Sequence, residues 1–531
     1  NAELTSDGNA NIAIGGVVGL DYSTKISNCV NEKSGKIDVG GSIASLDWLK
    51  HAGRQSSVGG VSGTRPEANY VAENASMTSC ENHAEINFMG GVVGYYVIYN
   101  MNDCHNYGDI ICSVDYSDET KTAIKAANLS GVVGFAAFQK ESIKTSMTNC
   151  TNHGKIEYTS ATANTINIAG VARFTDYKHT VAIENCVNHG NVVVNDDAEA
   201  ENIYVGGVLS RLDNTISQYL TMKNCKNEGD IDCEASINGK VCIGGVFAYS
   251  AAPAWSASQA SGLSNGGYVN FSGTANEVCI GGYAGESTGV HEVPFVAEAE
   301  VTCTGTVARD AYIGGYIGKM HNIEVGGTFD VTTTANGKVS FNGVAENVYL
   351  AGGIGAVTSA RPVTLKGITN KGAVVFEDNI SKNFHPENAY VAGVFGYINL
   401  AGNVANRSVS VLKSSNNEGA ISYYGKTTDG AYIGGVAGHA PNTSLSGCAN
   451  AESGKIISKG IAGGIDKMYD GGTVIVTHDM AVGGVAGESG YDVLNCSNNA
   501  AIDYTCVVNA EIDANVTSRF DIGGVVGRVY S

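Results

Sequence analysis

The tract Ala431-Tyr432-Ile433-Gly434-Gly435-Val436-Ala437-Gly438 decides the fold, because versions of it recur along the whole chain. About fourteen copies run from Ile14-Gly15-Gly16-Val17 to Ile522-Gly523-Gly524-Val525, with a mean period of about 39 residues. A period of about 20–50 residues is typical of solenoids and propellers. The first glycine of each pair, or the residue aligned with it, is Gly15, Gly59, Gly90, Ser130, Ala169, Gly206, Gly244, Gly281, Gly314, Gly352, Ala392, Gly434, Gly483 or Gly523.

A second element follows many of these copies after roughly fifteen residues. Clear examples are Asn149-Cys150-Thr151-Asn152-His153-Gly154 and Asn224-Cys225-Lys226-Asn227-Glu228-Gly229. A short run that alternates apolar and polar residues comes next, as in Lys155-Ile156-Glu157-Tyr158. Such alternation predicts strands, and Asn-x-Gly predicts the turn between two of them. We therefore expect three short strands in each repeat and an all-β chain.

The number of copies separates the two all-β repeat architectures. Propellers close after about four to eight blades, which is fewer than the copies found here. In a parallel β-helix, or β-solenoid, equivalent residues stack about 4.8 Å apart, so one coil per repeat predicts a rod of roughly 65–70 Å. The expected fold is a parallel β-solenoid of about fourteen repeats of about 39 residues, with loop insertions.

The Cys and Asn of the second element predict two structural ladders. In other copies the Cys slot holds Leu263, Ile368 or Ser415, so it behaves as a small interior position. We expect a column of free, buried thiols, because disulfides or a metal site would not tolerate Leu and Ile. The Asn is expected to bond turn backbone and its own copies in adjacent coils. The ladder residues are Cys29, Asn31, Cys104, Asn106, Cys150, Asn152, Cys186, Asn188, Cys225, Asn227, Cys448, Asn450, Cys496 and Asn498.

Composition limits the domain organisation and the partners. The repeat runs through all 531 residues without a linker, which predicts a single continuous array over residues 1–531. The formal net charge of −20 comes without a basic run, so we expect no nucleic-acid partner. No stretch of about eighteen apolar residues occurs, so we expect no membrane insertion in this segment.

Departures from the repeat are where a binding function would be placed, because insertions in solenoids form loops on one face. Trp48 and Trp255 both lie in such segments, and exposed rings there would stack on sugars or peptides. The alternative is that each ring covers its own loop. The segments that break the pattern are 42–58, 112–127, 195–202, 250–262, 377–388 and 459–479.

The histidines and carboxylates do not predict a reactive site. His83, His153 and His189 share one turn position with Tyr107 and Glu228, a variation typical of a solvent-facing turn. No repeat position concentrates Asp or Glu beside Arg, as a glycosidase or polysaccharide lyase groove would require. We therefore expect no catalytic residue, no metal and no cofactor. A carbohydrate-active β-helix enzyme stays as an alternative.

With these motifs laid out, the pattern Tyr-Ile-Gly-Gly-Val-Ala-Gly followed by Asn-Cys-x-Asn-x-Gly resembles the GLUG-type glycine-rich repeats of large bacterial, Bacteroidales-like cell-surface adhesins. The resemblance implies an extracellular, surface-attached stalk or fibre segment without catalytic residues. Such a rod takes part in adhesion or surface-fibre formation, and end-to-end or lateral self-association stays open. The alternative is a module that binds a host or microbial surface glycan or protein through its insertion loops.

The last Gly-Gly copy is followed by only a few residues, without its Asn-Cys-x-Asn partner, and no polar cap precedes Gly15. Since open solenoid ends normally need caps, we expect the chain to be a length of a longer one.

Overall fold

The structure is a computed structural model. It describes residues 13–20, 25–37, 57–64, 75–87, 90–96, 100–112, 127–136, 144–159, 161–174, 180–212, 220–251, 254–323, 327–359, 361–378, 385–400, 411–462, 477–508 and 517–529. Within these ranges every regular element is a β-strand, which confirms the all-β parallel solenoid. No helix in the same ranges could cross a membrane.

The chain forms two compact units, each described by itself. Unit 1 comprises Asn1–Val269 and Gly273–Ala275, and unit 2 comprises Asn270–Ser272 and Asn276–Ser531. The strands Val269–Phe271 and Thr274–Gly281 contain the residues at which the units divide.

A complete coil has five strands rather than the expected three. In one coil of unit 1, strand a is Ala198–Gly206, strand b Leu209–Leu212, strand c Leu220–Lys223, strand d Lys226–Asn227 and strand e Ile231–Cys233. In two places the sequence pattern predicted one strand where the backbone forms two. The Gly-Gly pair breaks one run into strands a and b, and the corner before the Cys breaks another into strands c and d.

The strands of unit 1 stack in these five positions. Position a contains Ala13–Gly15, Ser57–Gly59, Ala127–Ser130, Ala161–Ala169, Ala198–Gly206 and Lys240–Gly244. Position b contains Val18–Leu20, Ser62–Thr64, Val93–Tyr96, Val133–Ala136, Ala172–Phe174, Leu209–Leu212 and Phe247–Ser250. Position c contains Lys25–Ser27, Ser76–Thr78, Asn100–Asn102, Lys144–Thr148, Thr180–Glu184, Leu220–Lys223 and Ala260–Ser261. Position d contains Val30–Asn31, Glu81–Asn82, His105–Asn106, Thr151–Asn152, Val187–Asn188, Lys226–Asn227 and Leu263–Asn265, and position e contains Ile110–Cys112, Ile156–Tyr158, Val192–Val194 and Ile231–Cys233. The short strand Ala254–Trp255 lies outside these positions.

Unit 2 follows the same plan, with positions c and d joined in one ladder. Position a contains Thr306–Gly314, Asn347–Ala351, Asn388–Ala392, Gly430–Gly434, Thr477–Gly483 and Thr517–Gly523. Position b contains Ala284–Ser287, Ile317–Met320, Ile354–Ser359, Phe395–Leu400, Ala437–Ala440, Ala486–Ser489 and Val526–Val529. Positions c and d contain Phe295–Ala297, Gly327–Ala335, Val363–Asn370, Val411–Lys413, Asn416–Asn417, Ser444–Ser446, Ala449–Asn450, Val493–Leu494 and Ser497–Asn498. Position e contains Val301–Cys303, Val339–Phe341, Val374–Glu377, Ile421–Tyr424, Ile456–Ala462 and Ile502–Val508, and Val290–His291 is a separate short strand.

Strands in adjacent coils of a unit pair in parallel, with equivalent repeat residues opposite one another. Gly206 pairs with Gly244, and Leu209 pairs with Phe247. The register also corrects one alignment, because Gly314 pairs with Ala351 and not with Gly352. With that correction, the second residue of the pair is glycine in each of the fourteen copies.

This second glycine is the point where the two repeated motifs meet. A Cβ added to Gly207 would lie 2.2 Å from the Gly245 carbonyl oxygen and 2.4 Å from Cγ of Asn227. The same clash recurs at Gly131, 2.1 Å from the Gly170 oxygen and 2.3 Å from Cγ of Asn152. The glycine is therefore required because the next coil and the buried Asn occupy the space of a side chain.

The corner between strands c and d requires a left-handed backbone. The residue before each Cys slot has φ near +50° to +56° at Asn28, Ser79, Asp103, Asn149, Asn185 and Asn224 in unit 1, and glycine with φ of +65° fills the slot at Gly262. Asn, Asp and Gly tolerate this region, whereas a β-branched residue does not. This explains the first Asn of Asn-Cys-x-Asn, which the sequence analysis left without a role.

The positive φ at this corner predicts how substitutions of Asn185 change the stability of the protein. Asn185→Gly should lower the free energy of unfolding by less than about 1 kcal/mol, because Gly262 already occupies an equivalent slot and the two side-chain hydrogen bonds that it removes, to Asn149 and Asn224, are exposed to water. Asn185→Val should lower it by about 1–2 kcal/mol, because a branched side chain is strained at positive φ. Urea denaturation followed by circular dichroism measures both. Equal losses in the two variants would contradict a backbone origin.

Candidate functional site

The Asn residues of strand d form a buried, hydrogen-bonded ladder. Asn152 Nδ2 donates to Asn188 Oδ1 at 2.8 Å, and Asn188 Nδ2 donates to Asn227 Oδ1 at 2.7 Å. Most of these Nδ2 groups also donate to a turn carbonyl two residues on, as from Asn188 to Gly190 at 2.8 Å, and Asn450 donates to the Gly454 carbonyl at 3.0 Å. In unit 1 the ladder runs through Asn31, Asn82, Asn106, Asn152, Asn188, Asn227 and Asn265, and in unit 2 through Asn370, Asn417, Asn450 and Asn498.

The ladder has a defined break in unit 2. Ala297 pairs with Ala335, and Ala335 pairs with Asn370. The buried Oδ1 of Asn370 consequently accepts no hydrogen bond from the described residues. An unpaired buried acceptor costs stability, so this break is a weak point within unit 2.

The cysteines of the same element are interior and unbridged. Thirteen of the fourteen cysteines lie among the described side chains, and all thirteen are free. Cys150 Sγ donates to the Thr148 carbonyl at 3.3 Å, and Cys225 Sγ donates to that of Lys223 at 3.3 Å. At the thiols of Cys233 and Cys303, burial raises the pKa to about 12, so these thiols are protonated at neutral pH. The cysteines of the Asn-Cys-x-Asn element therefore pack in the interior and make weak hydrogen bonds.

The one tryptophan that the structure describes, Trp255, does not form a binding surface. Trp255 is fully buried and lies edge-on to Phe247, with ring centroids 5.3 Å apart. A ligand therefore has no access to this ring, which corrects its expected exposure and matches the alternative of a ring that covers its own loop. Trp48 lies outside the described residues, as do most of segments 42–58, 112–127 and 459–479.

The strongest candidate for a binding surface is an aromatic stripe that the sequence analysis missed. In unit 2, Tyr312, Tyr349, Tyr390 and Tyr432 pair in register on strand a, two residues before the Gly-Gly position. Their rings stack with centroids 4.5, 4.9 and 5.3 Å apart and interplanar angles of 8–14°. The signal was present in the sequence as a Tyr at one fixed repeat position.

Two rings from strand b complete this aromatic stripe. Tyr397 pairs with His439 across adjacent coils, and their rings stack 5.4 Å apart. Tyr397 meets Tyr390 edge-on at 5.2 Å, and His439 meets Tyr432 edge-on at 4.8 Å. We define the stripe by these six residues: Tyr312, Tyr349, Tyr390, Tyr397, Tyr432 and His439. Except for the buried Tyr312, they are half-buried.

Charged groups bound the stripe on both sides. Lys319 Nζ lies 4.3 Å above the centre of the Tyr312 ring and 2.9 Å from Glu277 Oε1. At the other side, Glu488 lies 3.0 Å from His439 Nδ1 and 3.0 Å from Arg528 Nη1. Each of these four charges faces an opposite charge or a ring.

The chemistry of the stripe follows from this packing. Because the tyrosine faces cover one another, the stripe presents ring edges and hydroxyl groups rather than flat faces. Burial raises the pKa of Tyr349 and Tyr390 above the ordinary range, so both phenols are neutral. Neutral hydroxyls both donate and accept hydrogen bonds, which suits sugar hydroxyls or peptide groups.

Unit 1 carries a second aromatic stack at the turn after strand d. His83, Tyr107, His153 and His189 stack with centroids 4.5–4.8 Å apart, and His189 Nδ1 lies 2.8 Å from Glu228. Burial, followed by the charges of His189 and His105, lowers the pKa of His153. Among the described side chains, no histidine of this stack joins a group of three metal-ligating atoms within 4.8 Å.

A serine–histidine contact in unit 2 has the residue types of a catalytic pair. Ser287 Oγ lies 3.1 Å from His291 Nε2, and Tyr283 Oη lies 3.1 Å from Nδ1. Ser287, His291 and Tyr283 are fully buried, and the hydroxyl of Tyr316 donates to the His291 carbonyl at 3.2 Å. This network holds the Val290–His291 segment against buried aromatic rings, where a substrate has no access.

His291 makes the stability of the protein depend on pH. Burial lowers its pKa to about 3, below about 6.5 for an exposed histidine. Between these values the unfolded chain binds a proton that the folded chain does not, so acidification favours unfolding. From pH 6 to 4.5, wild type should lose about 2 kcal/mol more than His291→Gln. Urea denaturation at both pH values measures this, and equal losses would show that His291 does not titrate on unfolding.

Comparison with protein-family models, with curated proteins and with solved structures gives no match to this chain. The resemblance to GLUG-type repeats therefore stays a prediction from the sequence.

Proposed function

We propose that this chain is a non-catalytic structural segment of an extracellular, surface-attached stalk or fibre. The observation that carries the proposal is the buried Asn ladder, which joins each coil of unit 1 from Asn31 to Asn265 to the next through side-chain hydrogen bonds. The repeated Asn side chains bond to the equivalent side chains of adjacent coils. Such bonding suits a scaffold whose length depends on the number of repeats.

Surface ion pairs support the same role. Lys338 of one coil pairs with Glu300 of the adjacent coil at 2.8 Å, and Lys366 pairs with Asp330 at 2.8 Å. Each of these exposed ion pairs contributes little free energy, but the pairs place opposite charges beside each other on adjacent coils.

Location is the first test of the stalk. An antibody against the full chain should label intact producing cells, and brief external protease treatment should remove the label. Labelling only after permeabilisation would refute an extracellular stalk.

A second candidate function, the binding of a surface glycan or protein, is favoured by the aromatic stripe alone. The full chain would be screened against glycan and host-protein arrays, with Tyr397→Ala as the test variant. Ala356 pairs with Tyr397 in the same register, so the column already accepts Ala.

The matched control is Tyr107→Ala, which removes a comparable ring from the unit 1 stack. A ligand of the stripe should be lost in Tyr397→Ala and kept in Tyr107→Ala. If the arrays show no ligand, or if both variants lose the ligand equally, the stripe has no binding role and only the scaffold role stays.

A further inference from the structure

Two cysteines of unit 2, Cys448 and Cys496, form a pair of neighbouring free thiols. Ser446 pairs with Leu494 two residues before the thiols, and the residues directly after the thiols also pair with each other. This register sets Cys448 beside Cys496 on adjacent coils. The slot on the other side of Cys448 holds Ser415, so the pair does not continue as a row of thiols in that direction.

The spacing of the pair disfavours a disulfide. Side chains at paired positions of parallel strands point the same way, so the two Cβ atoms are about 4.8 Å apart. A disulfide brings Cβ atoms to about 3.8 Å. The two sulfurs therefore lie side by side as thiols, separated along the stacking direction.

The same spacing suits one metal ion between the two sulfurs. Metal–thiolate bonds are about 2.3 Å long for zinc, and two such bonds in line span about 4.6 Å. Each Cβ–Sγ bond leaves the coil roughly at right angles to the stacking direction. Each sulfur then bonds to one carbon and one ion at a bent angle, which is the ordinary geometry of divalent sulfur. No sulfur bridges two ions.

We propose that Cys448 and Cys496 together bind one soft monovalent cation, Cu(I), as a linear bis-thiolate. Thiolates select soft ions of this kind, whereas hard cations prefer carboxylate and carbonyl oxygens. Cys448 is buried, and Cys496 is partly exposed, so the ion reaches the pair through Cys496. The site is independent of the stalk role and of the aromatic stripe.

Binding exchanges two protons for one cation. Each thiol releases its proton to solvent, and the ion keeps its oxidation state because no electron is transferred. The product carries a net charge of −1 beside the partly exposed Cys496, where water solvates part of that charge. The hydrogen bond from the Cys448 thiol lowers the pKa of Cys496, so the accessible thiol is the first to lose its proton.

The test measures how Cu(I) protects Cys496 from alkylation. The reduced, anaerobic full chain would be treated with iodoacetamide in buffers of graded free Cu(I), and peptide mass spectrometry would report the modified fraction of Cys496 alone. Other thiols of the chain do not enter this readout. In Cys448→Ser, half-protection should need about a hundredfold more free Cu(I), because the two-thiolate chelate becomes a single ligand. Ser415 already occupies an equivalent slot, so serine is compatible with the fold there.

The matched control is Ser415→Ala, which changes the other neighbour of Cys448 and keeps both thiols. It should leave the Cu(I) concentration for half-protection unchanged. Native mass spectrometry gives a second readout, in which Cys448→Ser, Cys496→Ser and the double variant should each bind one Cu(I) fewer than wild type, because the two thiols share one ion. Absent protection, equal half-protection in wild type and Cys448→Ser, or two ions lost in the double variant would each overturn the proposal.

Discussion

Asn188→Asp is expected to lower the free energy of unfolding by about 3–5 kcal/mol at neutral pH. Asn188 is fully buried, accepts from Asn152, and donates to Asn227 and to the Gly190 carbonyl. A carboxylate donates neither bond and places a negative charge against two acceptor oxygens. Urea denaturation followed by circular dichroism measures the loss.

Asn185→Asp is the matched control, because it makes the same chemical change three residues earlier at an exposed corner. Asp103 already occupies an equivalent corner with φ of +56°, so the backbone tolerates the residue. We expect a change within about 0.5 kcal/mol. Similar losses in the two variants would remove the ladder as the source of stability.

The Asn188→Asp variant also has a pH signature. Burial should raise the pKa of the carboxyl introduced at this ladder position above its value in the unfolded chain. Stability contributed by a raised pKa is present at low pH and is lost as pH rises, so the defect should shrink on acidification. The difference between Asn188→Asp and Asn185→Asp at pH 4 and pH 7 isolates this effect.

Gly207→Ala is expected to lower the free energy of unfolding by about 3 kcal/mol or more. The added methyl would lie 2.2 Å from the Gly245 carbonyl oxygen and 2.4 Å from the ladder side chain of Asn227. Neither contact is relieved by a rotamer change, since one partner is backbone and the other is fixed by hydrogen bonds. Chemical denaturation and thermal melting measure this loss.

Gly524→Ala is the control at the same repeat position. A Cβ at Gly524 has no atom within 4 Å among the described residues, so this substitution should change stability by less than about 0.5 kcal/mol. A loss comparable to that of Gly207→Ala would mean that intrinsic glycine conformation, rather than the neighbouring coil, requires this residue.

These two pairs of variants distinguish the effect of a residue's type on stability from the effect of its position in the coil. Asn185 and Asn188 are three residues apart and belong to one sequence motif, and both bond to their equivalents in adjacent coils, yet Asn185 does so at an exposed corner and Asn188 in the buried ladder. Gly207 and Gly524 are equivalent in the repeat, yet among the described residues a Cβ at Gly207 meets the adjacent coil and a Cβ at Gly524 meets no atom within 4 Å. Periodicity alone does not distinguish the members of either pair.

The sequence by itself determined the all-β solenoid, because a period near 39 residues indicates a repeat array and about fourteen copies exceed the number of blades in a propeller. The sequence also predicts free cysteines, since a slot that accepts Leu263 does not depend on a disulfide. The separation of strands a and b, and of strands c and d, was not predictable from alternation. It depends on the bend that follows the first glycine of Gly-Gly and on the positive φ at the corner before Cys.

Only the tertiary structure decided what the side chains meet. It placed Trp255 in the interior against Phe247, set the second glycine against the Asn ladder, and assembled the aromatic stripe from Tyr390 and Tyr397 on different strands. Sequence periodicity specifies which residues share a column along the stack. Which columns face each other depends on how the chain turns within one coil, and that is fixed by packing across the coil.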